Sequence, residues 1–396
     1  MKMTADVIIV GGAVMGSSIA WWLTKMQPGL DVLVLERDPS FTQASTALSV
    51  ASIRSQFTTA VNVRISRFGI DFIRNFDERL GGLGQVPSLG LKENGYLFLS
   101  STPEGATALA EVAGMQRREG AATELWSPDQ VKARFPWLET GDLTAATFGA
   151  RDEGWFDNMG LMAGFRNAAR AQGARFLTAR ACGLQVQSGR VTGVQIEEKD
   201  GGRALVACST VVNAAGTRAA EVLAWAGLDL AVEPRKRTVF VIDAPNARHP
   251  DAPLLVDAGF YLRPEHGHWI TATVPQDDGP CDFNDFEPDL HLFEDVIWEQ
   301  LYARAPGFDA VKVVRHWVGH YAYNRLDQNA ILGPHPAMPN LYLCNGFSGH
   351  GLQQAPAVGR GIAEHILTGG WQSLDLTDLS VERMLKEQPF RERAIV

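Results

Sequence analysis

The sequence predicts an α/β protein in which both chain ends build one parallel-sheet domain and a second, antiparallel β-sheet domain is inserted between them. Three observations support this fold class. A strand, a glycine-rich turn, a helix and a second strand follow one another between residues 5 and 36. Another strand, glycine turn and helix, NLYLCNGFSGHGLQQAPAVGRGIAEHIL, lies near the C-terminus. Between them, β-rich runs such as RTVFVID and GFYLRPEHGHWITATVP are able to pair with each other.

The composition is that of a soluble globular protein, and the length favours one large or two interleaved domains. Of 396 residues, 45% are apolar and 20% charged, and no uninterrupted apolar run reaches the roughly 18 residues of a membrane span. The net charge of -9 excludes the nucleic-acid-binding class, because phosphate binding needs clustered positive charge. The four cysteines form no CxxC pair, so we expect reduced thiols in a cytoplasmic protein.

Hydrophobic periodicity assigns the elements in chain order. A βαβ unit opens the chain, and the run LQVQSGRVTGVQIEE predicts an antiparallel hairpin because SGR is a turn in its middle. The helices are expected at 14–26, 61–79, 160–172 and 219–226, and the segment 127–138 is expected to form a short N-capped helix that Pro136 stops. The other strands are expected at 7–10, 32–35 and 95–101. We expect one domain to comprise residues 1–85, 150–225 and 325–385, and the inserted domain to comprise 86–149 and 226–324.

The turn after the first strand has the pattern of a Rossmann-like dinucleotide-binding fold. Gly11, Ala13 and Gly16 occupy its three small-residue positions, and Glu36 ends the second strand, where it is expected to accept hydrogen bonds from a ribose 2′-OH. The middle position is Ala instead of Gly, which is tolerated if the phosphate lies slightly higher on the helix N-terminus. These residues do not choose between NAD and FAD. The predicted cofactor contacts of this region are Gly11, Gly12, Ala13, Val14, Met15, Gly16, Glu36 and Arg37.

Three later segments resemble one family. NGFSGHGLQQAP (345–356) resembles the C-terminal flavin-binding signature of the D-amino-acid oxidase superfamily, especially its sarcosine oxidase, sarcosine dehydrogenase and glycine oxidase branch. VVNAAGTRAAEV (211–222) resembles the segment beside the FAD pyrophosphate, and STALSVASIR (45–54) resembles the loop over the cofactor. The resemblance implies a Rossmann-like FAD-binding domain with an inserted substrate domain. It also implies cofactor contacts at Ser45, Thr46, Ala215, Gly216, Gly346, Ser348, Gly349, His350, Gly351 and Leu352.

The chain departs from this family at the position expected to hold a substrate carboxylate. Monomeric sarcosine oxidases have a lysine two residues after the last glycine of GFSGHG, and this chain has Gln353. An amide donates a hydrogen bond but has no charge. Arg54 and Arg263 are therefore the candidate carboxylate partners, because a guanidinium matches a carboxylate bidentately; each is equally compatible with a plain salt bridge.

Two further departures concern the flavin. The strand GHWITATVP has no lysine where the resemblance implies one that promotes reaction of reduced flavin with oxygen, so we prefer a dehydrogenase that passes electrons to a protein or quinone. The segment HYAYN has no cysteine where some branches attach flavin, and Cys344 is assigned to a buried strand. The expected cofactor is noncovalent FAD.

The segment HWVGHYAYN brings two histidines four residues apart. His316 and His320 would form a metal site on a helix, but the alternation favours a strand, so we expect no metal. His320, Tyr321 and Tyr261 are instead expected to line the substrate cavity, with core packing as the alternative.

The preferred function is oxidation of a small amino acid or N-alkyl amino acid by hydride transfer to flavin N5, giving an imine that hydrolyses. One alternative is a 2-hydroxy-acid or polyol-phosphate dehydrogenase, for which RKR (235–237) is the only compact phosphate candidate; a solvated strand edge is the preferred interpretation of that run. Another is a non-catalytic FAD-binding assembly factor acting through partners.

Overall fold

The computed structural model describes residues 3–393, and its fold is α/β with two large sheets. The strands are β1 (Met3–Val10), β2 (Val32–Glu36), β3 (Ser52–Ile53), β4 (Tyr96–Ser100), β5 (Thr123–Trp126), β6 (Ala145–Gly149), β7 (Gly154–Trp155), β8 (Arg175–Gln187), β9 (Arg190–Glu198), β10 (Arg203–Asn213), β11 (Val232–Asp243), β12 (Leu254–Asp257), β13 (Phe260–Glu265), β14 (His268–Thr273), β15 (Lys312–Asn324), β16 (Ile331–His335) and β17 (Met338–Asn345). The helices are α1 (Val14–Met26), α2 (Ala60–Arg74), α3 (Phe76–Arg79), α4 (Pro103–Arg118), α5 (Pro128–Arg134), α6 (Asn158–Ala171), α7 (Ala219–Ala224), α8 (Trp298–Arg304), α9 (Gly351–Thr368) and α10 (Glu382–Leu385).

The seven-stranded sheet has a parallel centre. Strands β8, β2, β1, β10 and β17 run parallel in that spatial order. β9 pairs antiparallel with both β8 and β10, and β16 pairs antiparallel with β17. Apolar residues of α1, α2, α6 and α9 cover one face. Burial on both faces explains the nearly continuous Val, Ile and Leu runs of β1 and β2.

Helices α1 and α9, from opposite ends of the chain, lie side by side on this sheet. Ser18 Oγ donates to the Ala355 carbonyl over 2.7 Å, and Trp22 Nε1 donates to the Pro356 carbonyl over 2.9 Å. A Cβ atom at Gly359 would lie 2.2 Å from Ser18 Oγ, so only glycine permits this close approach. The two chain ends therefore form one continuous layer.

The eight-stranded sheet has the order β15-β11-β14-β13-β12-β4-β6-β5 and is antiparallel except between β12 and β4. Its two faces alternate along each strand. On one face, Phe240, Leu262 and Trp269 pack against the segment that contains α8. On the other face, Val239 and Tyr261 line a cavity. One face of this sheet thus makes a core and the other makes a wall.

Most predicted elements are confirmed, including the pairing of RTVFVID with the ITAT strand and the hairpin of β8 and β9. The helix expected at 61–79 is wrong as a single element. It ends at Arg74, and α3 begins at Phe76, because Asn75 Nδ2 donates to the Asp71 carbonyl and competes with the helical backbone. No helix within residues 3–393 is long and apolar enough to cross a membrane.

The two sheets suggest how the chain divides. The seven-stranded sheet takes strands from the ranges 3–36, 175–213 and 331–345, and the eight-stranded sheet from 96–149 and 232–324. We propose the boundaries 1–85, 150–225 and 325–385 for one domain, and 86–149 and 226–324 for the other.

Candidate functional site

A deep cavity lies where the two sheets meet. Its wall is formed by the β1–α1 turn, the end of β2, the segment 43–54, the β10–α7 turn, one face of the eight-stranded sheet, and the residues from Phe347 to Gln353. The sequence-predicted residues that line it are Gly11, Ala13, Val14, Met15, Glu36, Arg37, Ser45, Thr46, Arg54, Ala215, Gly216, Tyr261, His320, Tyr321, Ser348, Gly349, His350, Gly351, Leu352 and Gln353. Gly12, Gly16, Arg263 and Gly346 lie outside this wall.

The β1–α1 turn depends on two glycines for its close packing. Gly11 has φ +102°, and a Cβ there would lie 2.4 Å from the Ala214 carbonyl oxygen. A Cβ at Gly16 would lie 1.9 Å from the Gly11 carbonyl oxygen. Ala13 is the N-cap of α1, with extended backbone angles. The Val14 N–H donates to Thr46 Oγ1 over 3.3 Å, which ties the segment 43–54 to the start of the helix. A helix N-terminus therefore faces the cavity, where it favours an anion.

Glu36 joins this turn to the end of β2. Its Oε2 accepts from the Gly12 N–H over 2.9 Å and its Oε1 from the Asp38 N–H over 2.8 Å. Gly12 thus acts on the wall through Glu36 without lining the cavity itself. Each carboxylate oxygen has two lone pairs, so Glu36 retains acceptor capacity toward the cavity.

The turn before α9 supplies the second helix N-terminus. Gly346 and Gly349 have φ +70° and +97°, which favour glycine. A Cβ at Gly349 would lie 2.7 Å from the Tyr321 ring, so this glycine allows the ring to approach the backbone closely. Ser348 Oγ accepts from the Asn324 N–H over 3.0 Å, so its hydroxyl holds the turn to β15.

Arg54 is buried in the cavity wall, 3% exposed, between the loop before α2 and the start of α9. Its N–H donates to Gln353 Oε1 over 2.9 Å, and its Nη1 donates to the Gln56 carbonyl over 2.8 Å. Nη2 lies 3.3 Å from His350 Nε2. The guanidinium also lies 4.4 Å from the centre of the Phe57 ring. Gln353, which replaces the lysine of the resemblance, therefore positions the Arg54 backbone.

The eight-stranded sheet contributes an aromatic wall. Burial raises the pKa of both Tyr261 and Tyr321, so both stay neutral near pH 7. Burial lowers the pKa of His320, whose Nε2 lies 2.6 Å from the Asp285 carbonyl and whose ring stacks on Phe286 at 4.4 Å. His320 is thus a neutral, oriented side chain; its own carbonyl accepts from Ser45 Oγ over 2.7 Å.

The structure does not bring Arg263 into the cavity, which corrects its selection as a carboxylate partner. Its guanidinium pairs with Glu265, donates to the Val50 carbonyl over 3.0 Å and lies 5.1 Å from the Trp155 ring centre. Tyr261 and Arg263 are two residues apart on β13 and share a face. Arg263 lies farther along the strand, where the Val50 carbonyl and Glu265 hold its guanidinium outside the cavity.

Arg237 is a charged cavity residue that the sequence analysis did not assign to the substrate site. The run 235–237 lies on β11 and pairs only with β15, but its side chains are at most 18% exposed and are all paired with carboxylates, so its interpretation as a solvated strand edge is wrong. Arg237 is 4% exposed and lines the cavity, with Asp278 held on Nη1 at 2.6 Å and Nη2 at 2.9 Å. Arg237 and Val239 are two residues apart on the same strand, so their side chains share a face. This alternation could have predicted that Arg237 lines the same cavity as Val239.

Metal and thiol chemistry find no support in the described residues. His316 is exposed and His320 is buried, and no group of three metal-ligating side chains occurs between residues 3 and 393. The four cysteines are free, and none of them lines the cavity. Cys344 lies in the core, as predicted, where burial raises the pKa of its thiol.

Comparison with known proteins agrees with this geometry. The model of the family described as DAO, FAD dependent oxidoreductase, matches residues 6–365. FAD-dependent oxidoreductase domain-containing protein 1 of Xenopus laevis is 40% identical over 99% of this chain and 85% of its own length. Mouse mitochondrial dimethylglycine dehydrogenase is 27% identical over 96% of this chain, which covers 44% of that enzyme.

Solved structures show the same fold. L-proline dehydrogenase from P. horikoshii superposes with a TM-score of 0.85 at 25% identity, over 98% of this chain and 100% of that one. Glycine oxidase from Geobacillus kaustophilus has a TM-score of 0.79 at 22% identity, over 96% and 99%, and shows the fold alone. Two helix N-termini and the carboxylate of Glu36 face one cavity, and the family model matches residues 6–365. The chain belongs to the DAO family of FAD-dependent oxidoreductases.

Proposed function

We propose that this protein oxidises a small amino acid or N-alkyl amino acid at its C–N bond, with noncovalently bound FAD. The observation that carries the proposal is Arg54: a buried guanidinium in the wall of a largely apolar and aromatic cavity, beside the N-terminus of α9. Such a group matches a carboxylate, and its burial strengthens that attraction.

The chain's own residues fit FAD. The N-terminus of α1 is suited to the pyrophosphate, Glu36 to a ribose hydroxyl, and the N-terminus of α9 to negative charge on the ring. Ser45 and Thr46 lie on the segment between these sites, and Ala215 and Gly216 border it from the β10–α7 turn. When bound, FAD supplies the hydride acceptor. Because no cysteine lines the cavity, we propose that the flavin is held without a covalent bond.

The substrate end of the cavity favours a neutral amine. The carboxylates that line the cavity are Glu36, Asp38 and Glu221, from the end of β2 and from α7; none comes from the eight-stranded sheet. An ammonium group near Tyr261 and Tyr321 would therefore lack a partner charge and lose proton affinity. Arg54 binds the carboxylate, the aromatic wall excludes water, and the substrate C–H bond is held in one orientation.

The residues that line the cavity also indicate the kind of electron acceptor. No lysine is among the described residues that line the cavity, and the resemblance implies that a lysine promotes reaction with oxygen. We propose a dehydrogenase whose acceptor is a protein or quinone. The four free cysteines fit the cytoplasm as its compartment.

The alternatives receive less support. Arg235, Lys236 and Arg237 are paired with Glu233, Asp278, Asp285 and Asp289, so the only compact cationic run offers little charge to a polyol phosphate. A 2-hydroxy acid has the same carboxylate and remains the second candidate for Arg54. A non-catalytic assembly factor would need FAD but no carboxylate site.

An anaerobic titration tests the proposal. Purified protein with FAD is mixed with N-methyl, imino, D- and L-amino acids and 2-hydroxy acids while the flavin absorbance is followed, and oxygen is then admitted. Bleaching by an amine substrate and slow recovery of colour are expected. Bleaching by hydroxy acids alone would assign the second candidate, rapid recovery would assign an oxidase, and no bleaching by any compound would favour the assembly factor.

A further inference from the structure

Glu153 lies directly behind Arg54. The short strands β3 and β7 pair antiparallel, Ser52 with Trp155 and Ile53 with Gly154, so the next position in this register sets Glu153 opposite Arg54. Glu153 is 1% exposed and does not line the cavity. A carboxyl group is thus buried one layer behind the proposed carboxylate-binding arginine.

The carboxyl group of Glu153 holds the two residues that follow Arg54. Oε1 accepts from the Ser55 N–H over 2.7 Å, and Oε2 accepts from Gln56 Nε2 over 2.8 Å. Gln56 in turn accepts from Arg54 Nη1 through its carbonyl. A Cβ at Gly149 would lie 2.0 Å from Glu153 Oε2, so glycine makes the room for this carboxyl. Glu153 therefore fixes the loop conformation that presents the guanidinium to the cavity.

Other ionisable groups lie around this pair on several elements. Tyr96 of β4 faces both Glu153 and Arg54, and burial raises the pKa of Tyr96 to about 12, so it stays neutral. From α9, His350 contacts Arg54. Asp152, the neighbour of Glu153 in sequence, is drawn outward to an ion pair with Arg74 at 2.8 Å. Arg54 is the cation that lowers the pKa of Glu153.

We propose that Glu153 is a positioning residue for Arg54 and that a substrate carboxylate binds Arg54 together with the uptake of one proton from solvent by Glu153. This inference rests on the proposed function. A second carboxylate beside the guanidinium repels the first, and protonation of Glu153 removes that repulsion while its Oε atoms still hold the loop.

The pKa of the Glu153 carboxyl suits the uptake of a proton when a carboxylate binds. Burial raises the pKa of Glu153 to about 7, against hydrogen bonds from Gln56 and Ser55 and the charge of Arg54, which lower it. Near neutral pH the carboxyl is therefore divided between its two forms, and a bound carboxylate shifts it toward the protonated one. The amine of a substrate would add its own titration, so a simple carboxylate is the cleaner probe.

The experiment uses the FAD-loaded protein and propionate. Propionate affinity is measured from the change in flavin absorbance between about pH 6 and about pH 8.5 for the wild type and for Glu153→Gln, Arg54→Gln and His350→Gln. Calorimetry of the wild type in two buffers of different ionisation enthalpy counts the protons taken up. We expect the affinity of the wild type for propionate to fall about tenfold as the pH rises across this range, which corresponds to a rise of about one unit in the pKa of Glu153 on binding. The affinity of E153Q should change by no more than about twofold.

Each outcome decides something different. Proton uptake near pH 7 with a pH dependence that persists in H350Q supports the inference. No proton uptake, or a pH dependence lost in H350Q, overturns it and leaves the carboxylate site intact. If E153Q does not fold, wild-type calorimetry and the pH dependence of H350Q still decide, because the first counts the protons taken up and the second tests whether His350 takes them. Propionate that binds R54Q as tightly as the wild type contradicts the proposed function itself.

Discussion

The two ends of the cavity are built from different chemistry. At the β1–α1 turn the wall consists of glycine backbone and a helix N-terminus, held by a carboxylate at its edge. At the other end the wall includes the buried guanidinium groups of Arg54 and Arg237, and the carboxyl groups of Glu153 and Asp278 lie next to them outside the wall. Backbone N–H groups do not titrate, whereas buried carboxyl groups do. Ligand binding at the first end is therefore expected to depend on the shape of the backbone, and ligand binding at the second end on charge and pH.

The largest effect is expected from breaking the shape of the first end. Gly16→Ala places a Cβ 1.9 Å from the Gly11 carbonyl oxygen, so the turn and helix α1 must separate. We expect loss of most bound flavin and about 1–3 kcal/mol of stability, measured as flavin content and thermal unfolding. Gly141→Ala is the control, because a Cβ there meets no atom within 4 Å. A G16A protein with full flavin content would show that the turn tolerates bulk.

Removal of the charge at the second end is next. Arg54→Gln is expected to keep FAD but to lose about 2–5 kcal/mol of carboxylate binding, which lowers kcat/KM at least about thirtyfold. Arg263→Gln is the matched control: an equally buried arginine that pairs with Glu265 outside the cavity. Equal losses of kcat/KM in both variants would contradict the assignment of Arg54.

The pH dependence of stability sharpens the contrast. Glu153 has a pKa near 7 in the folded protein against 4.5 for its ordinary value, so the folded state binds more protons between these values. The contribution of Glu153 to the free energy of unfolding therefore falls by about 3 kcal/mol as pH rises from about 4.5 to about 7, and it stays at the lower value above that. Glu153→Gln should flatten this part of the stability curve, measured by denaturant unfolding. The exposed Glu111→Gln should leave the curve as in the wild type.

The smallest effect concerns Asp278, which occupies the fork of Arg237. Asp278→Asn removes the compensating charge, so Arg237 becomes a net cation in the cavity wall. We expect succinate to gain about 1 kcal/mol relative to propionate, measured as the ratio of their dissociation constants. An unchanged ratio, equal to that of Asp277→Asn, would mean that Arg237 serves only to hold Asp278.

The sequence identified the first end of the cavity better than the second, for a physical reason. Gly11, Gly16 and Glu36 act within one βαβ unit, so their spacing alone indicates their geometry. Arg54 and Arg263 looked equivalent, because their roles depend on partners such as Gln353 and Glu265 and on which part of a strand faces the cavity. Glu153 carries no motif; its importance arises from a two-residue pairing of β3 with β7. Helix α4 was also missed, although Thr102, Pro103 and Glu104 form a regular N-terminal signal.

The contact between α1 and α9 has a consequence for how the chain folds during synthesis. Strands β1 and β2 and helix α1 leave the ribosome more than 300 residues before β17 and α9 do. Until then the indole of Trp22 lacks the Pro356 carbonyl and the apolar side of α1 is uncovered. Contacts of such long sequence separation form slowly and leave nascent apolar surface open to aggregation. The segment 3–36 is thus one that a chaperone has reason to shield.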